Sequence, residues 1–172
     1  MKKIVLILFF CAVSIFAKDK NYQRLAINSG GVFAKQTDKV NPYLGFEYSY
    51  ILPSVRPLFS IGIFSEYIFS DEPEVSVQIP FALHTELGIM PFISIGAVYV
   101  NHGTAPSEIT DEFIISEEYG EHVYSVIGFG IAYEIAMPSL GNTHTSLAPA
   151  IRVDLIQNNY QFLFGIQYGV HF

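Results

Sequence analysis

The sequence predicts an all-β chain, an eight-stranded antiparallel up-and-down transmembrane β-barrel preceded by a cleavable signal peptide. Three observations predict it. Eight runs alternate large apolar with small or polar residues, and a period of two sends alternate side chains to opposite faces of a strand. The chain is 51% hydrophobic, yet no stretch after Ala17 reaches the roughly 18 unbroken apolar residues of a membrane helix. The nearest, Leu87 to Val100, is interrupted by Pro91 and Ser94. An apolar chain without such a helix can cross a bilayer only as a closed barrel, in which each strand satisfies the backbone of the next. Eight is also an even number, as bacterial single-chain barrels have.

The front of the chain reads as an export signal. Met1-Lys2-Lys3 is followed by an apolar run, Ile4 to Phe16, and by the small residue Ala17 before Lys18, Asp19 and Lys20. A basic start, a short apolar core and a small residue describe a secretory signal peptide, so residues 1–17 are the signal and residues 18–172 the barrel domain. A helical anchor needs about 20 apolar residues and this run is shorter. Phe10 precedes Cys11 where an acylated cysteine would follow Gly, Ala or Ser, so Cys11 leaves with the signal. The remaining chain has no cysteine for a disulfide, a thiol nucleophile or a thiolate metal site. Without Lys2 and Lys3 it holds 7 basic and 16 acidic residues, a net charge of −9. That charge excludes nucleic acid as a partner, since phosphate contacts need a basic footprint.

The strands follow in order. Arg24 to Phe33 alternates loosely, with Leu25, Ile27 and Phe33 on one face, and is the weakest. Tyr43 to Leu52 sets Leu44, Phe46, Tyr48, Tyr50 and Leu52 against Gly45, Glu47 and Ser49. Pro53 to Pro57 turns the chain, because two prolines fix φ and withhold ladder donors. Leu58 to Phe69 sets Phe59, Ile61, Ile63, Tyr67 and Phe69 against Ser60, Gly62, Phe64 and Glu66, and Asp71 to Glu74 breaks it. Val75 to Leu83 alternates cleanly except for Pro80, a residue expected at an edge or a bulge. His84 to Pro91 reads as a turn. Phe92 to Tyr99 puts Ile93, Ile95, Ala97 and Tyr99 on its apolar face, though Phe92, Val98 and Val100 crowd the other.

Asn101 to Glu121 is the longest connection and carries six of the sixteen acids, Glu108, Asp111, Glu112, Glu117, Glu118 and Glu121. His122 to Ile135 is the sixth strand. Pro138 to Thr145 reads as a polar turn, Leu147 to Leu155 as the seventh strand and Gln157 to Asn159 as a short turn into the last. With both termini on the periplasmic side, the inner connections are Pro53 to Pro57, His84 to Pro91 and Pro138 to Thr145. The acidic 101–121 connection then lies outside. The face rich in Phe, Ile, Val and Tyr meets lipid, and Gly, Ser, Gln, Glu and Arg fill the lumen. The opposite arrangement, that of a soluble barrel, would crowd the large side chains into an interior too narrow for them.

The last strand, Tyr160 to Phe172, has an aromatic or branched apolar residue at every second position and, at thirteen residues, exceeds the roughly 9 to 11 a tilted strand needs to cross a bilayer. Its end, Phe164, Ile166, Tyr168, Val170 and Phe172, resembles the carboxy-terminal assembly signal of bacterial outer-membrane β-barrels. The whole chain resembles the eight-stranded OmpA and OmpX type, although tryptophan is absent. That resemblance implies export to the bacterial outer membrane, contact with outer-membrane lipid and lipopolysaccharide, and insertion by the barrel-assembly machinery. It also implies a structural or surface-binding role, adhesin-like or in host interaction, with any surface ligand met by loop 101–121. No cofactor is implied.

The alternatives are a lipid A deacylase-like barrel enzyme and a narrow channel for ions or small solutes. The deacylase family carries a His-x-Ser pair running into Asn, with a later Glu. Here His144-Thr145-Ser146 supplies the pair, but Leu147 replaces the Asn and Asp154 is the only acid that follows. No catalytic residue is assigned. His84, His102, His122 and His171 have no metal-ligand spacing, and the loop acids lack the D-x-D-x-D-G calcium pattern. Inward Glu47, Glu66, Glu134, Arg152 and Asp154 form the candidate lumen network, read as a plug in which Arg152 pairs with Glu134 across a turn and Glu47 lies at a similar depth.

Deleting Phe172 is expected to lower outer-membrane levels and leave periplasmic aggregates, which cell fractionation would detect. Normal insertion of the shortened chain would show that the terminal ring carries no assembly signal.

Overall fold

Nine segments of strand form in the computed structural model: β1 (Gln23–Ala34), β2 (Val40–Leu52), β3 (Leu58–Ile68), β4 (Glu74–His84), β5 (Ile89–Asn101), β6 (Glu121–Tyr133), β7 (Ile135–Leu140), β8 (Thr143–Ile156) and β9 (Asn159–His171). The described residues are 22–34, 39–52, 58–101, 121–140, 143–157 and 159–172. The expected signal peptide with Cys11, the Pro53 to Pro57 turn, His102 and nearly all of the acidic connection lie outside them.

Sequence neighbours pair antiparallel in the order β6-β5-β4-β3-β2-β1-β9-β8-β7, and β6 also pairs with β8, which closes the sheet. Segments β6 and β7 are one barrel strand. The register that pairs Ala132 with Ala150 continues unshifted to Ile135 with Leu147. The break falls at Glu134, whose backbone N–H donates instead to the Gly88 carbonyl at 2.7 Å. The result is an all-β, up-and-down barrel of eight strands.

Alternation sorts the side chains as the period of two requires. Phe46, Ile93, Phe129 and Ile166 face out at 57%, 50%, 50% and 49% exposure, while Arg24, Gln78, Ser94 and Asp154 lie inside at 1%, 1%, 0% and 3%. On β5 the exposed face is that of Ile93 and Ile95, whereas Val98 and Val100 are buried. The lumen is therefore not wholly polar. Val32, Tyr43, Ile68 and Leu163 form a buried cluster towards the end opposite the termini. Ala82, Met90, Ala132 and Ala148 form a second between β4, β5, β6 and β8, with Phe92 packed against it.

Three local expectations are corrected. The turn expected over His84 to Pro91 is only four residues long, because Gly88 adopts φ 77° and lets the chain reverse at once. A hydrogen bond from the Gly88 N–H to the Thr85 carbonyl, 3.0 Å, fixes it. The polar segment Pro138 to Thr145 is largely strand, since β7 runs to Leu140 and β8 starts at Thr143. Its polar residues mark the barrel rim rather than a long loop. Pro80 sits in neither an edge strand nor a bulge. A closed barrel offers no edge, so the ladder opens instead: Ile61 pairs with Phe81 and Phe64 with Gln78, with no pairs between.

The seam between β1 and β9 joins the two ends of the barrel. Gln23 and Phe172 exchange backbone hydrogen bonds at 3.2 and 3.0 Å, and Gly30 lies opposite Gly165. A Cβ on Gly30 would run into the Phe164 carbonyl oxygen and the Gly165 Cα. Both are backbone atoms with no rotamer to give way. The variant Gly30→Val is expected to lose the heat-modifiable shift of a folded barrel on a cold detergent gel, while Gly31→Ala, whose nearest new neighbours are the outer ends of the exposed Val40 and Phe164 side chains, keeps it.

Candidate functional site in the lumen

The inward faces of the strands build two charged clusters. The first centres on Arg152 of β8, which reaches across the lumen to Glu66 of β3. Its Nη1 donates to Glu66 Oε1 at 3.1 Å and its Nη2 to Glu66 Oε2. The same guanidinium holds Asp154, two residues along β8, through Nη2 to Oδ2 at 2.9 Å and an ion-pair contact of Nε with Oδ1 at 2.7 Å. That second contact is close without the alignment of a hydrogen bond. The Arg152 Cζ also lies 4.7 Å from the centroid of the Phe64 ring, a cation–π distance. Gln78 donates to Asp154 Oδ2 at 3.1 Å and to Ser76 Oγ at 2.9 Å, and accepts from Ser94 Oγ at 2.7 Å. Three side chains, Glu66, Asp154 and Phe64, thus hold one cation, and Gln78 with Ser76 and Ser94 steadies Asp154.

The second cluster occupies the end that carries the termini. Arg24 of β1 donates to Glu47 Oε1 of β2 and to Gln167 Oε1 of β9, each at 2.9 Å. Its Nε stands 3.9 Å from Glu134 Oε1. Glu134 also meets His171 Nε2 at 3.1 Å and His84 Nδ1 at 3.8 Å. Ser146 Oγ lies 3.1 Å from His171 Nε2, and Ser60 Oγ lies 2.9 Å from His84 Nε2. The break between β6 and β7 places Glu134 at the centre of this group. Between the two clusters is a cavity of only about 10 Å³, lined by Asn28, Tyr43 and Gln167 among others.

The five residues expected as one network therefore divide. Glu66, Arg152 and Asp154 belong to the first cluster, Glu47 and Glu134 to the second. The expected Arg152–Glu134 pair is not formed. Closeness across a turn was the basis for it, but the lumen is narrow enough for Arg152 to reach the opposite wall, where Glu66 is 86 positions away in sequence. Arg24, at 1% exposure the most buried cation among the described residues, is a network member that the sequence reading lacks, although its inward parity is visible there. His84 and His171 share no spacing signal in the sequence, and only the fold brings them to one carboxylate.

Chemically the lumen holds charge and offers little access. Ser60, His84 and Glu134 follow one another in the order of nucleophile, base and acid, but Ser60 is only 6% exposed, which leaves a substrate little access to it. The His144-Thr145-Ser146 pair lies on strand β8 rather than in a turn. Ser146 is turned inward to His171, and His144 Nδ1 meets Ser139 Oγ at 3.3 Å in an exposed position. Asp154 is eight residues further along the same strand, about 26 Å at strand rise, and is held by Arg152. Among the described residues no group of three or more His, Cys, Asp or Glu side chains could hold a metal ion.

A closed eight-stranded sheet with apolar residues outside and charge inside is the architecture of transmembrane β-barrels. Solved structures agree on the fold. The barrel of this chain is similar to the attachment invasion locus protein Ail of Yersinia pestis, with a TM-score of 0.53 at 10% identity over 90% of this chain and 100% of that one. It is also similar to the N-terminal β-barrel domain of Pseudomonas aeruginosa OprF, with a TM-score of 0.50 at 13% identity over 90% and 100% of the two chains. A de novo designed transmembrane β-barrel superimposes with a TM-score of 0.51 at 11% identity over 88% and 98%. No family model matches the chain, and no curated protein matches it significantly.

Replacing Arg152 by Leu strands Glu66 and Asp154 and is expected to cost about 3 to 5 kcal/mol, the usual penalty for breaking a buried pair. Adding Glu66→Leu should recover part of that loss. Combining Arg152→Leu with Glu134→Leu should be additive within about 0.5 kcal/mol, because the two share no partner. Urea unfolding in detergent of the three single and two double variants measures both couplings, and a coupling of 152 to 134 as large as that of 152 to 66 would refute the two-cluster arrangement.

Proposed function

We propose that the protein is an integral bacterial outer-membrane barrel that works as a plugged anchor, presenting its acidic 101–121 connection at the cell surface for structural or binding purposes and catalysing nothing. The filling of the lumen carries this reading. Two charged clusters and two apolar ones occupy the interior, and a cavity of about 10 Å³ is no wider than a single water requires. Close packing of this kind weighs against the channel alternative. The inward Ser146 and the distant, guanidinium-bound Asp154 weigh against a deacylase-like site. Asn101 and Glu121, the two residues that flank the acidic connection, pair with each other at the end opposite Gln23 and Phe172. A periplasmic position for the termini puts that connection outside.

Two measurements test the proposal. In planar bilayers the purified barrel is expected to give no defined conductance steps. Protease added to intact cells is expected to cut near Glu117 and Glu118 while the strands stay protected. Reproducible single-channel steps, or protection of the connection on intact cells, would overturn it.

A further inference from the structure

The outer wall of the barrel is not evenly convex. Across β6, β8, β9 and β1 it carries an apolar groove of about 710 Å³, within the roughly 300 to 1,000 Å³ of pockets that hold small ligands. Its shape follows from the register. Ile131 pairs with Ile151 and Ile151 with Phe164, making one outward row of large side chains. The next row pairs Pro149 with Ile166 and Ile166 with Ser29. Ser29 and Pro149 are short and outward-facing among large neighbours, so the wall is hollow where they stand.

We propose that this groove is a preferred site for one acyl chain of a bilayer phospholipid. The inference rests on the membrane-barrel fold, for the groove is continuous with the outward belt of Ile, Phe and Val side chains that such a barrel turns to lipid. Its walls are almost wholly hydrocarbon, and the hydroxyls of Ser29 and Tyr133 are the polar side-chain groups among its lining residues. That lining suits a chain and holds no charged group for a headgroup. Phe164 and Ile166 lie well inside β9, away from both rims, at the depth where acyl chains are found. A second copy of the protein is a poorer occupant, because a two-fold contact would set hollow against hollow, and such an interface must be self-complementary.

The test counts lipid. The barrel is purified in mild detergent, supplied with 1-palmitoyl-2-oleoyl-phosphatidylethanolamine, and examined by native mass spectrometry. Wild type is expected to retain one phospholipid per barrel, Ser29→Trp to lose most of it, and the opposite-wall control Phe81→Trp to keep it. Ser29→Leu fills the hollow with less bulk and serves if the Trp variant fails to fold. Heat-modifiable migration of each variant reports separately whether the barrel itself stands. Retention unchanged by either Ser29 substitution, no lipid on wild type, or a lipid-free dimer that Ser29→Trp splits would each overturn the proposal.

Discussion

In hydrocarbon an unpaired backbone N–H or C=O has no water to turn to, and each costs several kcal/mol. The pairing of β1 with β9 removes the two edges that an open sheet of eight consecutively paired strands would leave. Other features of the wall read as accommodations to that closure. Gly30 and Gly165 let the seam strands approach without side chains between them. Where β6 gives way to β7, the Glu134 amide is not abandoned but handed to Gly88. Pro80 is tolerated mid-wall because proline brings no N–H that would need a partner.

Closure also fixes where charge can go. The outward face must be apolar, so Arg24, Arg152 and the carboxylates that answer them are confined to the lumen, where each must be matched by its neighbours. Two guanidiniums meet four carboxylates there, with two imidazoles grouped around Glu134. The two clusters tie strands that are distant round the barrel: β3 with β8 in one, and β1, β2, β4, β9 and the β6–β7 junction in the other. Such crosslinks resist flattening of the cylinder, a mode that backbone pairing along the wall opposes only weakly. The lumen is thereby both the polar core and the brace.

The strands and their outward faces were legible because a period of two is written directly into runs such as Phe59, Ile61 and Ile63. The inward position of Glu66, Arg152 and Asp154 was legible for the same reason. Their partners were not, because contact across the lumen depends on stagger between strands that no local pattern records. Arg152 and Glu66 sit on opposite walls. Arg24 escaped notice because β1 alternates weakly, its face interrupted by Ser29, Gly30 and Gly31. Those same residues lie at the seam and at the groove, so the feature that blurred the strand is the one the wall needs there. The Pro138 to Thr145 segment was misread because proline and hydroxyl residues signal a turn equally well at a rim and in a loop.

The seam has a consequence for how the barrel comes to exist. Arg24 and Gln167, hydrogen-bonded across it, stand 143 positions apart in the chain, so the contact that ends the sheet is also among the most distant in sequence. Contacts of that separation form slowly, since the chain must be brought round before they repay it. Until β9 arrives, β1 is an open edge ready to pair with any other strand. As the first of the described strands, β1 waits longest for its second partner. Its weak alternation and its Ser-Gly-Gly centre make it a poor template for strangers, and only a partner with its own glycine at position 165 can close against it.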